Sequence, residues 1–199
     1  MPLGAFKAAL MGTAGATAEG DVVLLSTQTA SNSATISFTS DITSTYGEYI
    51  FKFYDIGPAT NDVHFLFQVN GAGESGYNET IDSTQFSAGH AEADNWNNLF
   101  YVTSGDQIQG TAFQYLSSGS GGIGNGADES VAGELHLYNP AGTTYPKHFH
   151  AFISEYEKDN QLFTSYTGGY IDTSTAIDEI QFKMESGNFD GKIKMWGVK

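Results

Sequence analysis

The sequence predicts an all-β fold, a two-sheet β-sandwich of the jelly-roll type preceded by a short N-terminal arm. Apolar and polar residues alternate with a period of two from about residue 21 onward, and turn-forming residues separate the alternating runs. Phe supplies 14 positions and Tyr 11, and such rings pack well on a pleated surface. Helical periodicity is convincing only near Phe6–Met11, where Gly4 and Gly12 bound it closely.

The predicted strands follow one another along the whole chain after residue 20. Ala34, Ile36 and Phe38 alternate with hydroxyl residues, which is typical of a half-buried strand. Two aromatic-rich runs, 49–54 and 63–69, are predicted to pair as a hairpin around Gly57-Pro58. The other predicted strands are 22–25, 99–102, 111–116, 134–138, 148–155, 162–166, 178–184 and 192–198. About ten strands with almost no helix indicate a sandwich rather than a βαβ fold.

Composition divides the chain into an arm over residues 1–20 and one domain over residues 21–199. The arm is apolar in places, but Gly, Lys and Thr interrupt it too often for a membrane span, and Lys7 lies inside the apolar segment rather than before it as in a signal peptide. The low-complexity stretch 117–126 (SSGSGGIGNG) is predicted to be a flexible connecting loop.

The charge of the chain excludes several classes of partner. All eight basic residues are Lys, against 23 Asp and Glu, which gives a formal net charge of -15. An acidic excess along the whole chain repels polyanions, so neither nucleic acid nor an anionic membrane surface is expected as a partner. Since the longest apolar stretch is too interrupted to span a bilayer, membrane insertion is not expected either. The absence of Cys excludes disulfides, thiolate nucleophiles and Cys-ligated zinc. No cofactor is expected.

His148 and His150 form the sharpest local pattern for a metal. Alternation on a strand places both imidazoles on one face, where they can share one ion. A third ligand has to come from another strand or from a symmetry-related chain, and the alternative is a pair of ordinary half-exposed strand residues. None of the serines stands in a Gly-x-Ser-x-Gly elbow, so the chain is not expected to be an enzyme.

Aromatic residues in polar, turn-rich segments are candidates for binding. Rings with polar neighbours commonly stack on sugars or on another protein chain. For each ring taken alone, the alternative is a place in the core. The candidates are Trp96, Tyr101, Tyr115, Tyr145 and Tyr170.

The C-terminal segment 177–199 (IDEIQFKMESGNFDGKIKMWGVK) carries the most specific pattern. Ile180, Phe182 and Met184 are predicted to face inward, and residues 186–188 to turn the chain into a final partner strand. This segment resembles the ending of many tailed-bacteriophage virion proteins, in which a strand of the form I-x-x-I-x-F precedes a Ser-Gly-Asn turn and a last strand ending in Gly-Val/Ile-Lys.

The resemblance implies a non-enzymatic virion component, either a capsid decoration protein or a capsid- or tail-fibre head. It implies other virion proteins as partners, a homotrimer, a host-surface glycan as a further contact, and attachment to the particle through the N-terminal arm. In that arm the apolar residues Leu3, Phe6, Leu10 and Met11 are the candidates for the contact. The alternative is a carbohydrate-binding jelly-roll module that uses the aromatic residues above, and a jelly-roll enzyme is the third interpretation.

Overall fold

A computed structural model describes residues 21–199, and this part of the chain is an all-β sandwich. Thirteen strands form two antiparallel sheets, so the predicted fold class is confirmed. Within residues 21–199 there is no helix with the length and apolar character needed to cross a lipid bilayer. The predicted arm, with Leu3, Phe6, Leu10 and Met11, lies outside the described residues.

The two sheets differ in size. The large sheet has nine strands in the order β1-β13-β3-β9-β10-β11-β5-β6, with β7 also paired to β5, and the small sheet has the order β2-β12-β4-β8. The strands are β1 (Val22–Ser33), β2 (Thr35–Phe38), β3 (Glu48–Pro58), β4 (Phe65–Gly71), β5 (Ile81–Ala91), β6 (Asn97–Tyr101), β7 (Gln107–Gly110), β8 (Gln114–Tyr115), β9 (Val131–Tyr138), β10 (Lys147–Glu157), β11 (Gln161–Ile171), β12 (Ile177–Met184) and β13 (Phe189–Val198).

Aromatic side chains from both sheets meet in the core. The ring of Phe182, on β12 of the small sheet, packs against Phe51 at 5.4 Å and Phe53 at 5.2 Å, both on β3 of the large sheet. Phe38 and Phe65 surround the same ring from within the small sheet. Burial of these rings is the main force that holds the sheets together, because apolar area removed from water stabilises the fold.

Two predicted hairpins are wrong, because in each case the two strands lie in different sheets. The run over 49–54 becomes part of β3 in the large sheet, whereas the run over 63–69 becomes part of β4 in the small sheet. In the same way β12 pairs with β2 and β4, while β13 pairs with β1 and β3. Alternation identifies the buried side of a strand, but both sheets bury a side against the same core.

The residues predicted to face inward in the C-terminal segment do so. Ile180, Phe182 and Met184 on β12 are fully buried or nearly so, as are Ile193 and Met195 on β13. The turn between the strands contains Gly187 with a φ of 75°, a conformation that glycine adopts at little cost. The motif therefore connects the two sheets rather than forming one hairpin.

The large sheet has more strands than the small one, and residues 102–124, which include β7 and β8 and are here called the covering segment, contact the inner face of β5. At this place β5 and β11 turn polar side chains inward. Gln85 donates from Nε2 to the carbonyl of Ser117 at 3.1 Å, and its Oε1 accepts from the Gly119 N–H at 2.9 Å. Ser117 and Ser118 are fully buried. The prediction of a flexible loop over 117–126 is therefore wrong where this segment meets the sheet.

Glycine in the covering segment permits close contact with a neighbouring loop. A Cβ added at Gly122 would lie 2.5 Å from the backbone carbon of Asp62, a distance that real Cβ atoms do not show. The next residue, Ile123, is fully buried and forms single β-bridges to Val63 and Glu157. The glycine-rich composition thus allows dense packing here.

Candidate functional site

The outer face of the large sheet is the candidate functional surface. Its inner face packs on the core, so every second residue of each strand points to solvent. The outward residues form straight rows across the strands, because the strand registers align them. One such row runs through Phe152, Tyr166, Phe86 and Tyr101 on β10, β11, β5 and β6. We call this row the aromatic ridge.

The aromatic ridge is more exposed than is usual for large apolar side chains. Phe86 is 46% exposed and Tyr101 54%. Leu99, at 69%, and Leu162 extend the same surface. A large side chain has an accessible surface of roughly 200 Å² when fully exposed. The four residues of the ridge together with Leu99 and Leu162 are about half exposed on average, so these six residues present about 600 Å² to solvent. That area is at the upper end for the largest apolar patch of a typical monomer, and such patches mark interaction sites.

Neighbouring rings of the aromatic ridge pack against one another across the strands. Phe86 and Tyr166 are direct neighbours on adjacent strands, with centroids 5.0 Å apart and planes inclined by only 12°. Because adjacent strands are themselves about 4.8 Å apart, the two rings cover one another's faces. Phe152 meets the other side of Tyr166 at 4.9 Å in an edge arrangement. The stacked pair Phe86 and Tyr166 therefore presents ring edges to solvent.

A groove runs beside the aromatic ridge. Its floor is the next row of outward residues, in which Gly168 on β11 lies between Thr84 on β5 and His150 on β10. A Cβ added at Gly168 would have no atom within 4 Å, so the space above it is open. Tyr170 and Asp82 form the far wall, and the cleft between them and β7 has a volume of about 290 Å³.

Charge divides the outer face into two halves. The neutral half consists of the outward residues of β10, β11, β5 and β6, among which Asp82 is the only carboxylate. The charged half, on β13, β3 and β9, includes an ion pair between Lys52 and Glu134 at 3.2 Å. Lys194 in the same half lies over the ring of Tyr54 at 5.3 Å. Further carboxylates lie at the margins of the neutral half, where Asp106 accepts a hydrogen bond from the Tyr101 hydroxyl and Asp172, like Asp82, accepts one from Gln109.

Histidines lie at the boundary between the two halves. His148 and His150 both point outward from β10, as alternation requires. The ring of His150 stacks on that of His136 at 4.5 Å, and burial together with the His136 charge lowers the pKa of His150. His148 instead lies beside Tyr170. Within residues 21–199 no group of three or more His, Cys, Asp or Glu side chains is arranged to hold a metal ion.

The five aromatic residues singled out in the sequence do not converge on one site. Tyr101 belongs to the aromatic ridge, and Tyr170 to the wall of the groove. Trp96 packs on Phe163 near one end of the large sheet. Tyr115 lies on the small sheet, where it stacks on His64 at 4.6 Å. Tyr145, 74% exposed, stands between β9 and β10.

Sequence reasoning missed most of the aromatic ridge. Phe86, Phe152 and Tyr166 lie within strands, where a large apolar residue is ordinarily assigned to the core. For Phe152 the signal was available, because Phe149, Ala151 and Ile153 occupy the alternate positions of β10. A strand with apolar residues on both sides presents an apolar surface on each face of its sheet. The second side of β10 is the one that faces outward.

Beneath the covering segment lies a buried carboxyl group. Glu155 on β10 is 2% exposed, and its Oε2 accepts a hydrogen bond from the Ser118 N–H at 2.9 Å. Its Oε1 is buried without a partner among the described residues. Burial raises the pKa of this carboxyl well above its usual value of 4.5. The hydrogen bond from Ser118 to Glu155 links the covering segment to β10.

The chain matches no protein-family model and no curated protein. Among solved structures it is similar to a protein of unknown function from Bacteroides ovatus, with a TM-score of 0.30 and 4% identity over 52% of this chain and 45% of that chain. It therefore spans less than half of that protein. Alginate lyase vAL-1 from Chlorella virus has a TM-score of 0.21 and 9% identity over 89% of each chain. Similarities this weak carry no argument about function.

Proposed function

We propose that this chain is a non-enzymatic structural protein of a tailed-phage particle, either a capsid decoration protein or the head of a short fibre. The observation that carries the proposal is the neutral half of the outer face, a surface that exposes about 600 Å² of large apolar side chains. The resemblance of the C-terminal segment to the ending of phage virion proteins supports the proposal, and this segment forms β12 and β13 of the sandwich.

The form of the aromatic ridge supports contact with protein rather than with sugar. Sugars stack on the open faces of aromatic rings, whereas Phe86 and Tyr166 cover one another's faces. Ring edges and the adjacent leucines suit the side chains of a protein partner, which interdigitate with them as in a core. The carbohydrate-binding alternative is therefore less well supported at this surface.

The distribution of charge supports a role in a crowded assembly. A formal charge of -15 keeps the protein soluble and opposes non-specific association. A neutral surface on such a molecule is the place where a partner can approach without repulsion. In this proposal the arm over residues 1–20 fixes the domain to the particle, and the sandwich projects from it.

The test is whether the chain is present in particles from its natural source. Particles purified by density gradient are digested, and peptides of this chain are quantified by mass spectrometry against the major coat protein. A fixed ratio between independent preparations is expected for a structural component. Absence of the peptides, or a ratio that falls with each purification step, contradicts the proposal. A chain lacking residues 1–20 is expected to remain folded and to be lost from the particles.

A further inference from the structure

We infer that the neutral half of the outer face pairs with the same surface of a second copy of this chain. The ridge of each copy lies in the groove of the other. This inference shares one premise with the proposed function, namely that the outer face contacts protein. It names the partner, and its test can fail independently of the particle assignment.

The surface is complementary to itself. The aromatic ridge and the groove are parallel rows two residues apart along the strands, which is about 7 Å. A two-fold axis parallel to the rows and midway between them places each ridge above the partner's groove. Such a pairing is isologous and closed, because the same residues serve on both sides.

The dimensions fit a face-to-face pairing of sheets. Packed sheets lie about 10 Å apart with interdigitated side chains, so a ring on one sheet needs an empty position opposite. Gly168 supplies that position, with no atom within 4 Å of an added Cβ. The cleft of about 290 Å³ between Tyr170 and β7 adjoins it. The four side chains of the aromatic ridge present about 360 Å², a little under half of the ~800 Å² per partner that stable complexes bury.

Charge also favours a second copy. Two chains with a formal charge of -15 repel one another unless their carboxylates are kept apart. The outward residues of the four strands β10, β11, β5 and β6 include only Asp82 as a carboxylate, in the wall of the groove, while Asp106 and Asp172 lie at the margins of the surface. The remaining repulsion acts over a longer range, and salt screens it with a Debye length of about 10 Å at 0.1 M. Association should therefore strengthen as salt is added.

The test uses the full chain in light scattering coupled to size exclusion, at several protein and salt concentrations. Gly168→Leu fills the groove, and Phe86→Ala removes part of the ridge. Gly47→Leu is the matched control: Gly47 precedes β3, outside the neutral half, and an added Cβ there also has no atom within 4 Å. Circular dichroism of all three variants verifies that they fold.

The native chain and Gly47→Leu are expected to form a dimer that tightens with salt. Gly168→Leu and Phe86→Ala are expected to raise the dimer Kd by roughly 30-fold, the effect of removing one important contact. A native chain that stays monomeric at about 0.1 mM in high salt overturns the inference, as does a trimeric mass or a Gly168→Leu variant that behaves like the control. Binding of a glycan that Gly168→Leu abolishes in a monomeric protein overturns it as well.

The two proposals fail in different ways. A dimer that depends on Gly168, from a chain absent from purified particles, supports this inference and contradicts the particle role. A monomeric chain that is present in particles at a fixed ratio supports the particle role and contradicts this inference.

Discussion

Replacement of Phe182 by alanine is expected to lower the free energy of unfolding by about 4 kcal/mol. Truncation of a buried Phe costs roughly 3–5 kcal/mol, from lost transfer energy and from the cavity that remains. A value in the middle of that range is expected. The ring contacts Phe38, Phe51, Phe53 and Phe65 across both sheets, which limits the collapse of the site. In a domain of this size, 4 kcal/mol corresponds to a fall in Tm of about 10 °C.

The comparison is with Phe86→Ala on the outer face. Phe86 is 46% exposed, so its truncation should change the stability of the monomer by less than about 1 kcal/mol. Urea unfolding followed by tryptophan fluorescence, in dilute protein so that association does not contribute, gives both values. If the two variants lose the same stability, or if Phe182→Ala loses less than about 1 kcal/mol, then the packing of the two sheets around Phe182 is wrong.

Three further changes test other parts of the structure. Glu155→Gln should flatten the pH dependence of the urea midpoint. The raised pKa of Glu155 makes the native chain lose stability as pH rises from 4.5 through the folded-state pKa, and the variant has no carboxyl group to titrate there. Tyr49→Phe should cost about 1–3 kcal/mol in urea unfolding, because the Tyr49 hydroxyl both accepts from and donates to the backbone of Thr43. Gln85→Leu leaves the Ser117 carbonyl and the Gly119 N–H without their partner, and should cost about 3 kcal/mol and speed proteolysis within residues 102–124.

The sequence carried enough information for the fold class but not for the pairing of strands. Alternation over 49–54 and over 178–184 identified Phe51, Phe53 and Phe182 as core residues, since burial acts on each strand separately. Whether β12 lies beside β13 or across the core from it depends on the path of the turn. Both arrangements bury the same side chains, so the pattern is the same for each.

Strand β5 was not predicted from the sequence, and its composition explains why. Ser83, Gln85 and Ser87 face inward, while Phe86 and Ala88 face solvent, which inverts the usual relation between polarity and burial. The inversion is possible because residues 102–124 supply polar partners for the inner side. No rule that reads one strand alone can anticipate those partners.

The candidate surface could not be predicted from the sequence for a related reason. The neighbours Phe86, Tyr101, Phe152 and Tyr166 come from four strands whose spatial order, β10-β11-β5-β6, differs from their order along the chain. Each residue taken alone is an ordinary strand aromatic. Only the register of the strands reveals that they form one row.

The positions of β12 and β13 also determine how the protein can fold as it is made. They are the last of the thirteen strands to leave the ribosome, yet each lies in the interior of its sheet, β12 between β2 and β4 and β13 between β1 and β3. Until then β1, at the edge of the large sheet, lacks the strand with which it pairs. In the nascent chain the uncharged segment Val22–Ser33 therefore remains without its partner strand, and it can pair wrongly with other strands throughout synthesis. Ribosomes that stall before residue 177 should release chains that aggregate.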